Sequence, residues 1–216
     1  MEEGNDLPAP LMLTDKPTEL LIATHNAGKI RELASLFSNF PIKLKNLSDF
    51  GGISELDETG TTFRENAELK AAGYARQAGI LSLADDSGLE VSALGGAPGV
   101  HSNRFAGEGS SDEEKMIRLL SKLEAIPNAS RDARFVCIMS IADSNGQIVF
   151  TARGICPGTI ANEPRGTNGF GYDPIFIPEG FNRTFGELKG DIKQQISHRA
   201  RAAEEIIRYL QGFFDV

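Results

Sequence analysis

Cysteine is scarce in this chain of 216 residues, occurring only as Cys137 inside an apolar run and Cys156 beside a proline. Two isolated thiols argue against a disulfide framework and for a reducing compartment, here the cytoplasm. Long apolar runs are missing too. No stretch approaches the roughly 20 residues that a bilayer-spanning helix needs, so no membrane partner is expected. Basic runs are equally absent and the formal net charge is -8, which weighs against a nucleic-acid polymer as partner. A small anion stays open, because local charge or a metal ion can override the global sign. Residues 1–18 contain three prolines and lack the basic start and apolar centre of a secretion signal. They are read as a flexible extension, with 19–216 forming one domain or two closely packed lobes.

What the chain does contain is organised around Leu83-Ala84-Asp85-Asp86-Ser87-Gly88-Leu89. A buried strand over 80–84 ends in two adjacent carboxylates. Burying either is costly unless it is paired, hydrogen-bonded or metal-bound. A divalent cation would answer that demand; a polar turn capping the strand is the other reading. If the extended geometry continues, Asp85 and Asp86 diverge, so that one could hold a metal while the other handles a water.

Upstream, Leu20 to Ala23 reads as a strand, Thr24-His25-Asn26-Ala27-Gly28 as a tight loop, and Ile30, Leu33, Ala34 and Phe37 as one helix face. Such a loop aims N–H groups at whatever sits above it and favours phosphate, with Lys29 adding a charge. A capped helix with a solvated lysine fits the same residues. Thr62 and Glu65 form a capping box that starts a helix ended by Gly79. Glu58 lies in the loop just ahead, where its side chain could point into a site, and Lys70 lies among small neighbours that allow close packing. Leu89 to Leu94 alternates like a half-exposed strand, and Arg104 follows in a polar loop as a candidate anion ligand. A second capping box, Ser111 with Glu114, starts a helix bearing Met116, Leu120 and Leu123. Strands over 133–142 and 147–152 flank the hairpin signal Asp143-Ser144-Asn145-Gly146.

In Gly169-Phe170-Gly171-Tyr172-Asp173-Pro174 the glycines remove bulk beside two aromatics, so an aromatic face and a carboxylate could meet a flat ligand; alternatively the rings simply reach the core. Ile175 to Ile177 reads as a short strand. Lys193 precedes Ser197, a natural N-cap that places His198 and Arg199 in the first turn of the last helix. Cations there oppose the helix dipole and call for an anion or a base edge.

Thr24 to Lys29, Glu58-Thr59-Gly60 with Phe63 to Ala67 and Lys70, Ala84 to Leu89 with Leu94 to Gly99, Gly169 to Pro174, and Ser197-His198-Arg199, in that order, resemble the inosine triphosphate pyrophosphatase family. The Asp-Asp pair is similar to its bacterial and plant branch. The resemblance implies an α/β fold with a long central mixed β-sheet flanked by helices, two lobes with a nucleotide cleft between them, and a homodimer. It implies Mg²⁺-dependent hydrolysis of ITP, dITP and XTP to the monophosphate and pyrophosphate. By matching motif, Thr24, His25, Asn26, Ala27, Gly28 and Lys29 would bind the triphosphate. Asp86 would accept the proton of the attacking water. Glu58 and Asp85 would hold Mg²⁺, with Asp86 sharing it. Lys29 and Lys70 would stabilise developing charge, and Ser87, Phe170, Gly171, Tyr172, Asp173, Lys193, His198 and Arg199 would contact substrate. His25 stands where glycine or serine is frequent. A phosphomonoesterase phosphorylated on one of the two aspartates and a silent nucleotide-binding module are the rival readings.

Overall fold

The computed structural model of the chain describes residues 16–214. Of the extension expected over 1–18, residues 1–15 lie outside the described part; the Thr18 carbonyl already accepts from Lys43 N–H at 3.0 Å. The fold is α/β. Six strands form one mixed sheet in the order β2-β1-β3-β4-β5-β6. β1 (Glu19–Ile22) runs parallel to β2 (Lys43–Asn46) and to β3 (Ser82–Val91). β4 (Asp132–Ala142) and β5 (Ile148–Ile160) follow, and β5 is antiparallel to β6 (Phe176–Pro178). The chain divides into two compact units. One holds the chain up to Asp86, Ile138–Arg153 and the chain from Ala202; the other holds Ser87–Cys137 and Gly154–Arg201.

In the first unit, α1 (Ala27–Leu36) starts where the Asn26 side chain accepts from Gly28 N–H at 2.9 Å and Lys29 N–H at 3.1 Å. Leu33 and Phe37 are buried, but Ala34 is exposed, outside the apolar face expected for it. α2 (Phe63–Ala78) has the Thr62–Glu65 capping box and ends at Gly79, whose φ of 70° is costly for any residue with a side chain. Ala71, Tyr74 and Ala75 of its inner face pack with Leu21, Ala23 and Ala84 from the sheet. The expected hairpin turn forms as well: Asp143 Oδ1 accepts from Asn145 N–H and Gln147 N–H.

In the second unit, α3 (Asp112–Glu124) opens with the Ser111–Glu114 box. Its Met116, Leu119, Leu120 and Leu123 cluster with Leu89, Val91 and Phe176. Each such leucine contributes about 1.5 to 3 kcal/mol by leaving water. α4 (Gly190–Ile196) and α5 (His198–Gln211) meet at Ser197, whose Oγ accepts from Ala200 N–H at 3.1 Å as an N-cap should.

Several expectations are corrected. β3 does not stop at Ala84: it runs through Asp85, Asp86, Ser87 and Gly88 to Val91, so the turn reading of the acidic pair is overturned. The strand expected over 147–152 begins at Ile148 and continues to Ile160. Ile175 closes a 3-10 turn, with the strand beginning at Phe176. Arg104 ends a 3-10 helix over Gly99–Arg104 rather than sitting in an irregular loop.

Candidate active site

The acidic pair survives inside a strand because its carboxylates have cationic partners. Asp85 is 1% exposed and Asp86 7% exposed. Strand alternation sends them to different lysines. Lys29 Nζ lies 2.6 Å from Asp85 Oδ1, while Lys70 Nζ lies 2.8 Å from Asp86 Oδ1. Both ammonium groups also donate to the Asp85 carbonyl, at 3.2 Å and 3.0 Å. Lys70 further reaches Glu58 Oε1 at 2.8 Å, so two carboxylates converge on one ammonium. Glu58, Lys29, Lys70, Asp85 and Asp86 therefore form one cluster within the first unit. Burial pushes the Asp86 carboxyl above its ordinary value against the pull of Lys70 and Lys29. Burial would lower Lys70, but Asp86 and Glu58 outweigh it and hold that ammonium above its usual range.

Glu58, Asp85 and Asp86 do not form a ready three-carboxylate metal cage. Among the described residues no group of three or more His, Cys, Asp or Glu is arranged to hold a metal ion. Asp85 faces Lys29, whereas Glu58 and Asp86 meet on Lys70. Two hard oxygen donors nonetheless suit Mg²⁺, which takes one or two carboxylates and fills its shell with water and phosphate oxygens.

The loop before α1 is partly occupied by its own cap. Asn26 takes the Gly28 and Lys29 N–H groups, Thr24 Oγ1 accepts from Asn26 N–H at 3.2 Å, and Ala27 is exposed. An anion there must meet the Lys29 ammonium and the remaining loop donors, or displace Asn26. His25 is exposed and stands edge-on to Tyr74 with ring centroids 6.4 Å apart.

A second cluster lies in the other unit. Asp173 is 1% exposed; its Oδ2 accepts from Phe170 N–H at 2.8 Å and forms an ion pair with Lys193. The Lys193 ammonium sits 4.7 Å from the centre of the Phe170 ring, and the Arg199 guanidinium 5.8 Å from it. Arg199, also 1% exposed, donates to Ser87 Oγ at 2.8 Å. Asp173 thus supplies an anion for Lys193. His198 is buried and stacks on Phe135 at 4.7 Å. Tyr172 is core: it is 4% exposed and its hydroxyl donates to the Ser102 carbonyl at 2.9 Å, so only Phe170 of the two aromatics is partly accessible. Arg104 is exposed and pairs with His101 at 3.1 Å.

Sequence reasoning gave no role to Asn66 and Asp112. Buried Asn66 accepts from Gly60 N–H at 2.8 Å and donates to Asp86 Oδ2 at 3.4 Å. Its position one turn before Lys70 was the available signal, since i and i+4 share a helix face. Asp112 accepts from Gly171 N–H at 2.7 Å, a contact across 59 positions that no local pattern announces.

The chain is similar to known proteins over most of its length. The model of the Ham1 family matches residues 20–209. A dITP/XTP pyrophosphatase of Desulforamulus reducens is 45% identical over 196 residues, covering 91% of this chain and 97% of the relative. One from Exiguobacterium sp. is 48% identical over 198 residues, 90% of this chain and 100% of the relative. Among solved structures, a Ham1 protein from Coxiella burnetii superposes with a TM-score of 0.83 at 40% identity, covering 90% of this chain and 98% of that one. The Staphylococcus aureus Ham1 protein gives 0.79 at 39% identity with the same coverage.

Proposed function

The chain belongs to the Ham1 family, and from that premise we propose that it hydrolyses inosine- and xanthosine-type nucleoside triphosphates, dITP, ITP and XTP, to the monophosphate and pyrophosphate. It is then a nucleoside triphosphate pyrophosphatase, as its relatives' names state of them. The observation that carries the reading is the cluster of Lys29, Lys70, Glu58, Asp85 and Asp86, which places two fixed cations beside a buried carboxylate that favours its proton.

In the proposed reaction a water oxygen bonds to the α-phosphorus, the α–β bridging P–O bond breaks, and pyrophosphate leaves. Asp86 takes the water's proton, and burial, by raising its carboxyl above the ordinary value, makes it a stronger base than an exposed aspartate. Lys29 and Lys70 balance the charge on the phosphate oxygens, where fixed cations in a partly dry site act most strongly. Mg²⁺ would neutralise phosphate charge and orient the leaving group. Its ligands would come from Glu58 and the Asp85–Asp86 pair.

Residues of the first unit, including Thr24 to Lys29, are assigned to the phosphates, and those of the second to the base. The two sets join at the Asp86–Ser87 peptide. Phe170 offers a face for stacking, Arg199 and Ser87 offer polar contacts, and Asp173 with Lys193 fixes the loop that carries Phe170. Rejection of ATP follows from pairing: a 6-oxo purine presents an acceptor and an N1–H donor where adenine presents the reverse, and unpaired buried groups are costly. Cys137 and Cys156, both buried and not in a disulfide, suit a reducing cytoplasm. No helix of the described residues is long and apolar enough to cross a membrane. A homodimer is part of the proposal, to be read by sedimentation.

The deciding measurement is a panel of purine nucleoside triphosphates assayed with and without Mg²⁺ for both phosphate products. Pyrophosphate from dITP and XTP, with little from dATP, is expected only when Mg²⁺ is present. Orthophosphate as the first product would overturn the proposal in favour of a phosphomonoesterase.

A further inference from the structure

Asp112 is the first residue of α3, after the Ser111 cap. Its Oδ1 accepts from Lys115 Nζ at 3.0 Å and its Oδ2 from Gly171 N–H at 2.7 Å. The second bond is short and charge-assisted, the stronger kind. Lys115 is 7% exposed despite its charge, and its ammonium also donates to Asn103 Oδ1 at 3.4 Å. The 3-10 helix that contains Asn103 is tied to the same glycine-rich loop by the Tyr172 hydroxyl on the Ser102 carbonyl. Gly171 itself has φ of +62° and open space where a Cβ would stand. With no side chain to pack, the orientation of its peptide depends on hydrogen bonds.

We propose that Asp112 is a positioning residue for base discrimination: it locks the Phe170–Gly171 peptide, and with it the angle at which the Phe170 ring meets the base, while Lys115 holds the carboxylate in place. This rests on the assignment of Phe170 to Asp173 to base recognition. An acid in the first turn also answers the helix dipole. Glu113 and Glu114 supply that charge equally, yet Asp112 is the one bonded to the loop. A peptide free to turn would offer N–H or C=O to either kind of purine edge, so its release erodes selectivity more than the chemical step.

The test compares Asp112→Ala with Glu113→Ala in the full chain. Loss of one charge-assisted bond at the base site should raise KM for dITP about ten-fold and lower the kcat/KM ratio of dITP over dATP by a similar factor, with kcat moving less than about two-fold. Without nucleotide, the Gly171 amide should exchange faster with deuterium in Asp112→Ala, and Glu113→Ala should do neither. The pair Asp112→Asn/Lys115→Gln keeps an acceptor for Gly171 and replaces the ion pair by an amide pair, so it should restore the nucleotide ratio. Unaltered Gly171 exchange or an unaltered ratio in Asp112→Ala overturns the proposal, as does a fall in kcat and thermal midpoint with no change of ratio. If the unsubstituted chain releases no pyrophosphate from dITP, the functional reading fails instead, and Gly171 exchange still decides whether Asp112 locks the peptide.

Discussion

Lys70 holds its proton more tightly than a free ammonium does: burial acts against the charge, and attraction from Asp86 and Glu58 prevails. Asp86 is the opposite case, because burial raises it above 3.8 and neither Lys70 nor Lys29 fully offsets that. An acid whose folded pKa is raised binds its proton more tightly folded than unfolded. Its contribution to stability is therefore present at low pH and lost as pH rises through the folded value. Activity has the opposite sign, since a proton acceptor must be ionised. A pH series of kcat/KM on dITP should show an acid limb above 3.8, and Lys29→Met, which removes a charge that pulls Asp86 down, should move that limb to higher pH. A limb that moves to lower pH in the variant would remove Asp86 from the role of base. Burial also prevails at Cys156, whose thiol is pushed up to about 11 although Arg201 and Lys193 pull it down.

Close approach decides the glycine-rich connection between β5 and β6. Arg165 N–H donates to the Pro174 carbonyl, Asn168 N–H to the Gly186 carbonyl, and Gly186 N–H to the Asp173 carbonyl. A Cβ on Gly166, whose φ is +79°, would lie 2.0 Å from the Gly186 carbonyl oxygen, whereas one on Gly171 would meet nothing within 4 Å. Gly166→Ala should cost about 2 to 3 kcal/mol in urea unfolding, and Gly171→Ala, strained in backbone but not crowded, about 1 kcal/mol; equal losses would show that contact adds nothing. The elements that local chemistry specifies were legible in the sequence. The Thr62 and Ser111 boxes start α2 and α3, Ser197 caps α5, and the Asp143 to Gly146 turn separates β4 from β5. β3 was not legible past Ala84, because Asp-Asp-Ser-Gly is a turn composition held extended by Lys29 and Lys70, distant in sequence by 56 and 15 positions. β2 escaped because Lys43-Leu44-Lys45-Asn46 offers little apolar signal, its pairing with β1 being the cause of its order. The candidate site followed the same rule. Residue types at motif positions pointed to Asp86 and Lys70, while the amide of Asn66 and the carboxylate of Asp112 owe their places to loops folded back on helices.

Across the whole molecule, the two units share their strands. β3 passes from one to the other at Asp86–Ser87, β4 at Cys137–Ile138 and β5 at Arg153–Gly154. Unfolding of either unit therefore strips the ends from three strands of the other, and one cooperative transition is expected. The thiols provide the probe, since Cys137 and Cys156 both belong to the second unit and both are buried. With Cys156 near 11, only about one molecule in a thousand carries that thiolate at a pH of about 8, so labelling there reads opening of the fold rather than native reactivity. Leu83, 0% exposed, lies in the first unit. Leu83→Ala should cost about 2 to 5 kcal/mol. If the chain opens as one body, even the lower figure speeds labelling of the second unit's thiols about 30-fold. Midpoints in urea followed by circular dichroism and by thiol exposure should then fall together. Labelling that ignores Leu83→Ala while the dichroism midpoint drops would show that the strands break at the Asp86–Ser87, Cys137–Ile138 and Arg153–Gly154 peptides before either core does.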